Sequence, residues 1–368
     1  SYELSECVTE TLCGNGIVDD EEVCDGDILD IRTNVESAYI MGKIVDLSDR
    51  HKNLYKITLN NKIIIHGACN SLNNILTWLI DIYDFLLVDN DQALDKIFAS
   101  CNRVIAIHGE DEETLKQSAQ FIEGSDFSNH TKARPVEAAV KATTKAINLA
   151  LKYNRRLHIL HLSTAEEVDI IREHKSSNLI TCETTPQHLL LHAPNIYNEI
   201  GSLGQMNPPI REQYHQNELW AGLKDGTIDC IATDHAPHTL EEKAKPYPDH
   251  PAGLPLIQHS LLALLDFYLK GELSLEVIVE KTSHSLANIY GIKDRGFIRE
   301  DYWADLVLVD FEKTTKVNTG NILYDCGWSP FEGHVFNSLI DKTFVNGELV
   351  YSDGQLVTDP SGLKIEFV

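Results

Sequence analysis

Ile231-Ala-Thr-Asp-His-Ala-Pro-His238 is the stretch on which the reading of the chain turns. It closes a short apolar run, residues 228–231, that suits a buried parallel strand. An Asp released past the carboxyl end of such a strand, beside His235 and ahead of His238, stands where an α/β barrel collects its reactive groups. A carboxylate there can hold a metal and relay a proton, and imidazoles can bind a metal or an anion. The plainer alternative is an Asp- and His-rich loop that satisfies only its own turn. The density of the cluster around Pro237 weighs against it.

Working outward, Arg103-Val-Ile-Ala-Ile-His108, Arg156-Leu-His-Ile-Leu-His161 and Leu179-Ile-Thr-Cys-Glu-Thr184 read as further strands, and Lys62-Ile-Ile-Ile-His66 as an earlier one. Pro135 opens a helix whose Val136, Ala139, Val140, Thr143, Ile147, Ala150 and Leu151 share one face. Residues 166–174 and 218–224 are also helical in pattern. Strands alternating with helices predict an α/β fold with parallel strands. Three of the strands end in His108, His161 and Asp234, and several reactive side chains at one carboxyl edge is the barrel active-site pattern. Beyond residue 260 come helices over 261–268, 275–282 and 283–290, an alternating strand within 295–310, and a hairpin over 344–351 that turns at Asn-Gly. The expected organisation is an N-terminal segment at 1–56, an α/β barrel at 57–295, and a C-terminal β unit at 296–368 that pairs with the N-terminal region.

The 368 residues carry 31 basic against 56 acidic side chains, a net charge of −25. That balance argues against nucleic acid or an anionic membrane, which require a basic footprint. A small anionic substrate is not excluded, because local groups can capture it. With 43% hydrophobic residues and no charged-then-apolar leader, a soluble, cytoplasmic protein is expected. The eight cysteines form no C-x-x-C pair, which argues against a zinc knuckle. Free thiols are expected, although Cys7, Cys13 and Cys24 lie close enough in sequence to bridge under oxidising conditions. The acidic run before Asp27 lacks the Gly and Glu spacing of an EF-hand and reads as a solvated face.

Residues from about 86 to 352 resemble the dihydroorotases of the amidohydrolase superfamily. The resemblance is carried by Leu86-Leu-Val-Asp-Asn90, His108-Gly-Glu-Asp111, Leu157-His-Ile-Leu-His-Leu-Ser-Thr164, Thr185-Pro-Gln-His-Leu-Leu-Leu191, Gln205-Met-Asn-Pro-Pro-Ile-Arg211, Ala232-Thr-Asp-His-Ala-Pro-His-Thr-Leu-Glu-Glu-Lys243 and Cys326-Gly-Trp-Ser-Pro-Phe-Glu-Gly333. It implies a (β/α)8 TIM-type barrel with its first strands unrecognisable here. It also implies reversible ring closure of carbamoyl-aspartate to dihydroorotate in pyrimidine biosynthesis. Zn2+, one ion or two, or another divalent metal, is the implied cofactor. His108 and His161 match the ligands of one ion, and Asp234 matches the ligand and general base. Asn207 and His238 match substrate-binding positions, His238 at the carboxylate. Ala252 and Gly253 match the backbone that closes over the ring. A homodimer, or a complex with aspartate transcarbamoylase, is the implied assembly.

The first part of the chain departs from the family's pattern. The family has a His-x-His pair on its first barrel strand, whereas residues 1–107 contain only His51 and His66. The family's strand with a bridging Lys is replaced by Trp78-Leu-Ile-Asp-Ile-Tyr-Asp-Phe85, which offers Asp81 and Asp84. Two alternatives therefore stand beside the enzyme: an inactive homologue serving as a structural subunit, and an allantoinase- or hydantoinase-type cyclic amidase.

Overall fold

The computed structural model describes residues 91–120, 127–247, 249–357, 362–363 and 365–368, together with the backbone of four earlier strands. These are β1 (Ser37–Ile40), β2 (Lys43–Asp46), β3 (Leu54–Leu59) and β4 (Lys62–His66). The acidic run before Asp27, Cys7, Cys13, Cys24, Asp81, Asp84 and the Leu86–Asn90 motif lie outside the described residues.

Four parallel strands follow in chain order: β5 (Ile105–Ile107), β6 (Leu157–Ile159), β7 (Ile180–Thr184) and β8 (Cys230–Ile231). Their register runs straight across, Ile105 opposite Leu157 and Leu157 opposite Ile180. Helices return the chain between them, at Glu112–Ala119, Val136–Tyr153, Ala165–His174 and Gln213–Asp225. This is the expected α/β alternation. A row of parallel strands, each running to the same edge, sets residues 108 and 161 side by side at its carboxyl end, and residue 234 stands at the same edge with β7 between.

The Val136–Tyr153 helix starts after Pro135 and ends on Asn154, which takes a left-handed φ of 54°. Its buried face is Ala138, Ala139, Thr143, Ala146, Ile147 and Ala150, while Leu151 is 39% exposed. The expected stripe was therefore slightly rotated. Alanines allow close approach to neighbouring elements, so the bulkier leucine turns outward. Residues 275–290 form one helical run with a π-helical turn at Glu280–His284, rather than two separate helices.

The second sheet is antiparallel. It is built from β9 (Leu306–Asp310), β12 (Leu339–Val345), β13 (Glu348–Ser352) and β14 (Gln355–Leu356), in the order β14-β13-β12-β9-β4-β3. Strands β10 (Thr315–Lys316) and β11 (Val335–Phe336) form a separate small ribbon. The β12–β13 turn is Asn346-Gly347, both at positive φ (53° and 87°), as a two-residue hairpin requires. Strand β4 lies beside β9, with Lys62 opposite Asp310 and His66 opposite Leu306. A barrel beginning at residue 57 thus cuts through the β3–β4 hairpin, and Lys62–His66 belongs to the antiparallel sheet. An apolar run of that length reads the same in either kind of buried strand.

One core joins the two sheets: Leu157, Ile159, Ile180 and Ile231 belong to the same buried cluster as Val307, Val309, Phe336 and Ile340. Among the described residues, no helix is long and apolar enough to cross a membrane.

Candidate active site

His108 follows β5 directly, and His161 lies two residues beyond β6. The strands bring these rings together, with His108 Nδ1 3.0 Å from His161 Nε2. On its other side, His108 Nε2 donates to Glu110 Oε2 at 2.9 Å. Arg134 grips the same carboxylate oxygen through Nε, at 2.8 Å, and through Nη2. Burial alone would raise the Glu110 carboxyl, but the Arg134 charge and the His108 hydrogen bond outweigh it and hold the group well below its usual range. Glu110 is thus a fixed anion that sets the His108 tautomer, leaving Nδ1 as a lone pair aimed at His161. Burial, then the neighbouring His108 and His188, push His161 well below the ordinary histidine value, so its ring is neutral.

Asp234 lies three residues beyond β8 and is 8% exposed. Both His161 and Asp234 take positive φ, 32° and 47°. That is uncommon for a side chain with a Cβ and is held here by surrounding structure. Part of the hold is visible: Gln187 Nε2 donates to the carbonyl of Thr233 at 3.1 Å. Arg211 ties Ser163 Oγ (3.0 Å) to the Arg134 carbonyl (3.0 Å), bracing the turn after β6 against the segment that carries the Glu110 partner.

The expected substrate positions form a second group. Asn207 Oδ1 accepts from His130 Nε2 at 3.0 Å, which leaves the Asn207 amide NH2 as the group to donate elsewhere. His238 Nε2 donates to the Ala252 carbonyl at 3.2 Å, and its own carbonyl accepts from Trp328 Nε1 at 2.7 Å. Gly253 has φ 146°, and a Cβ there would lie 2.5 Å from Ala236 Cβ. Its N–H donates to the Gln205 carbonyl at 2.8 Å, so this glycine shapes the loop and spends its amide internally.

Lys243 organises that loop. Its side chain is fully buried, and Nζ donates to three backbone carbonyls: Gln205 (3.0 Å), Pro251 (3.1 Å) and Gly253 (3.1 Å). Burial pushes its amine down to about 7. Lys243 ends the short Leu240–Lys243 helix, whose Thr239–Glu242 capping box follows His238 directly.

His108 and His161 meet as their strand-end positions predict, whereas Glu110, Arg134, His130 and Lys243 were not expected in the site. Glu110 and Lys243 sit inside His108-Gly-Glu-Asp111 and the 232–243 stretch, so the signal was present. Arg134 and His130 reach the site across the fold and leave no local pattern.

The imidazole pair suits a divalent metal as two of its ligands, while among the described residues Asp234 does not close a three-donor cluster with it. Two ring nitrogens 3.0 Å apart are close to the roughly 3.3 Å that Zn–N bonds of about 2.0–2.1 Å give in tetrahedral geometry. Glu110 supplies the carboxylate–histidine support that metal-bound imidazoles typically have, and its Oε1 is buried without a hydrogen-bond partner.

The profile of the amidohydrolase family matches residues 89–350. A dihydroorotase from Halobacterium salinarum is 35% identical over 267 residues, covering 73% of this chain and 61% of that protein. One from Methanosarcina acetivorans is 31% identical, covering 74% and 60%. The chain therefore spans about three fifths of the length of these curated relatives. Among solved structures, the L-hydantoinase of Arthrobacter aurescens superposes with a TM-score of 0.69 at 27% identity, covering 77% of this chain and 69% of that one. The dihydropyrimidinase of Brevibacillus agri gives 0.68 at 25% identity, covering 77% and 68%.

Proposed function

The chain belongs to the amidohydrolase family, and from that premise we propose that it performs dihydroorotase chemistry, the reversible hydrolysis of dihydroorotate to carbamoyl-aspartate in pyrimidine biosynthesis. The observation that supports this reading most is the close pair of His108 and His161 at the ends of adjacent parallel strands, with Asp234 at the matching end of β8.

His108, His161 and Asp234 would hold a zinc or similar divalent ion. When bound, such an ion lowers the pKa of a coordinated water and polarises the ring amide. The residues do the rest. Asp234 takes the proton of the attacking water and returns it to the leaving ring nitrogen. Arg134 and Glu110 keep the His108 lone pair directed at the site. Asn207 donates its amide NH2 to the substrate, and His238 meets the carboxylate. The 251–254 loop closes the ring's binding place. Cys101, Cys182, Cys230 and Cys326 form no disulfide with one another, which suits a reducing cytoplasm. A homodimer or a complex with aspartate transcarbamoylase is the proposed assembly, checked by sedimentation with and without that enzyme.

A hydantoinase-type specificity is the second reading, favoured by the solved structures that superpose. An inactive homologue is the third, favoured by the lack of a His-x-His pair in residues 1–107. Purified chain is assayed on dihydroorotate and on hydantoin, with zinc and with a chelator. Chelator-sensitive loss of dihydroorotate supports the proposal. Turnover of hydantoin alone transfers it to the second reading, and a folded chain inert on both to the third. With turnover in hand, Asp234→Asn lowers kcat by about 10²–10⁴-fold, the usual worth of a general base. Unchanged turnover removes Asp234 from the mechanism.

A further inference from the structure

Deeper in the parallel sheet lies a second constellation that the reaction does not use. His158 on β6, Glu183 on β7 and Cys230 on β8 are each fully buried. His158 Nε2 is 3.0 Å from Glu183 Oε2 and 4.0 Å from Cys230 Sγ, and the three donor atoms lie within 4.8 Å of one another. Glu183 and Cys230 are 25 and 72 residues from His158 in sequence, so no spacing motif announces them.

The hydrogen bonds fix the histidine's tautomer. Thr181 Oγ1 donates its proton to the Leu157 carbonyl at 3.1 Å, so that oxygen can only accept from His158 Nδ1, at 2.9 Å. Nδ1 therefore carries the hydrogen. In a neutral ring, Nε2 then points a lone pair at the Glu183 carboxylate. Two electron-rich atoms 3.0 Å apart in a dry interior need a positive species between them. It is either a proton or a metal ion.

We propose that His158, Glu183 and Cys230 bind a borderline-soft divalent ion, Zn2+ by chemistry, as a structural site distinct from the reaction centre. A neutral imidazole, a carboxylate and a thiolate together cancel the charge of such an ion, so the loaded cluster is neutral. That is the state a site without solvent tolerates best. A proton in its place leaves the thiol with only long contacts, 3.9 Å to the Cys182 carbonyl and 4.0 Å to His158 Nε2. Zn–N, Zn–O and Zn–S bonds of about 2.0–2.3 Å set tetrahedral donor separations near 3.4–3.6 Å. The observed 3.0 and 4.0 Å lie on either side of these. Tyr290 packs its ring edge-on to His158 at 5.5 Å, and its hydroxyl is buried with no hydrogen-bond partner, a further oxygen beside the cluster.

Metal-free chain loaded with Co2+ provides the test, because only cysteine ligation gives the intense near-ultraviolet thiolate-to-Co(II) charge-transfer band. The band is expected in wild type and in a His108→Ala/His161→Ala double variant, and it is expected to vanish in Cys230→Ser, with metal content by mass spectrometry falling by about one ion per chain. No band in the wild-type chain overturns the site whatever the variants do, and the cluster then holds a proton. A band that survives Cys230→Ser also overturns it, by moving the thiolate elsewhere. Neither readout requires turnover, so the site can stand or fall independently of the dihydroorotase reading.

Discussion

At the scale of single residues, the site depends on which nitrogen of each histidine carries its proton. Glu110 decides this for His108. Glu110→Gln keeps the shape but removes the charge that Arg134 and His108 share. Zinc affinity, measured by calorimetric titration, is expected to fall about 10–100-fold, the usual cost of losing a supporting carboxylate. Equal affinity in the variant would mean that Glu110 does not act through the ion. His238 follows a different logic. Its Nε2–H is committed to the Ala252 carbonyl, so Nδ1 can donate to a substrate carboxylate only when the ring is an imidazolium. Burial, followed by the nearby Lys243 charge, holds His238 below the ordinary histidine value. In the role proposed for His238, substrate binding brings a proton with it and tightens as pH falls. KM is expected to rise with pH through neutrality in the wild type, and to be higher and flatter in His238→Ala. A fall in kcat with KM unchanged in that variant would count against carboxylate binding. The strand-end positions of His108, His161 and Asp234 were legible in the sequence because strand-end position is local information. Arg134, His130 and the Thr181–His158 link were not, because they arise from contacts between elements distant in the chain.

At the scale of elements, the alternation of strand and helix from 105 to 231 was readable from periodicity, as was the Asn346-Gly347 hairpin from its turn chemistry. Partnership was harder to read. Lys62–His66 has the apolar run of a barrel strand yet pairs antiparallel with β9, because such a run is compatible with burial in either sheet. Short pieces such as Leu240–Lys243 and Pro186–Leu190 escape periodicity, being too brief to display it. The loop after residue 250 carries the clearest elemental prediction. Gly253 holds φ 146° with no room for a Cβ against Ala236. Gly253→Ala is expected to cost about 1–3 kcal/mol of stability in chemical denaturation, the range for a residue forced into a disfavoured backbone region. It should also raise KM, by displacing Ala252 and the His238 contact. A variant of wild-type stability and KM would mean that the loop relaxes freely.

At the scale of the whole molecule, the parallel and antiparallel sheets share one core, and Trp328 from the C-terminal part reaches over to His238. Elements that bury their apolar faces in each other should melt as one. Thermal unfolding followed by far-ultraviolet circular dichroism and by tryptophan fluorescence is expected to give coincident midpoints. Two separated transitions would show that the sheets are independently stable. The Lys243 clamp has a consequence at this same scale. All three of its acceptors are main-chain carbonyls, at Gln205, Pro251 and Gly253. A clamp on backbone oxygens does not depend on which side chains Gln205 and Pro251 carry. Descendants of this chain can therefore vary Gln205 and Pro251 while inheriting the same scaffold, so that side chains along this loop are open to selection without rebuilding the fold beneath them.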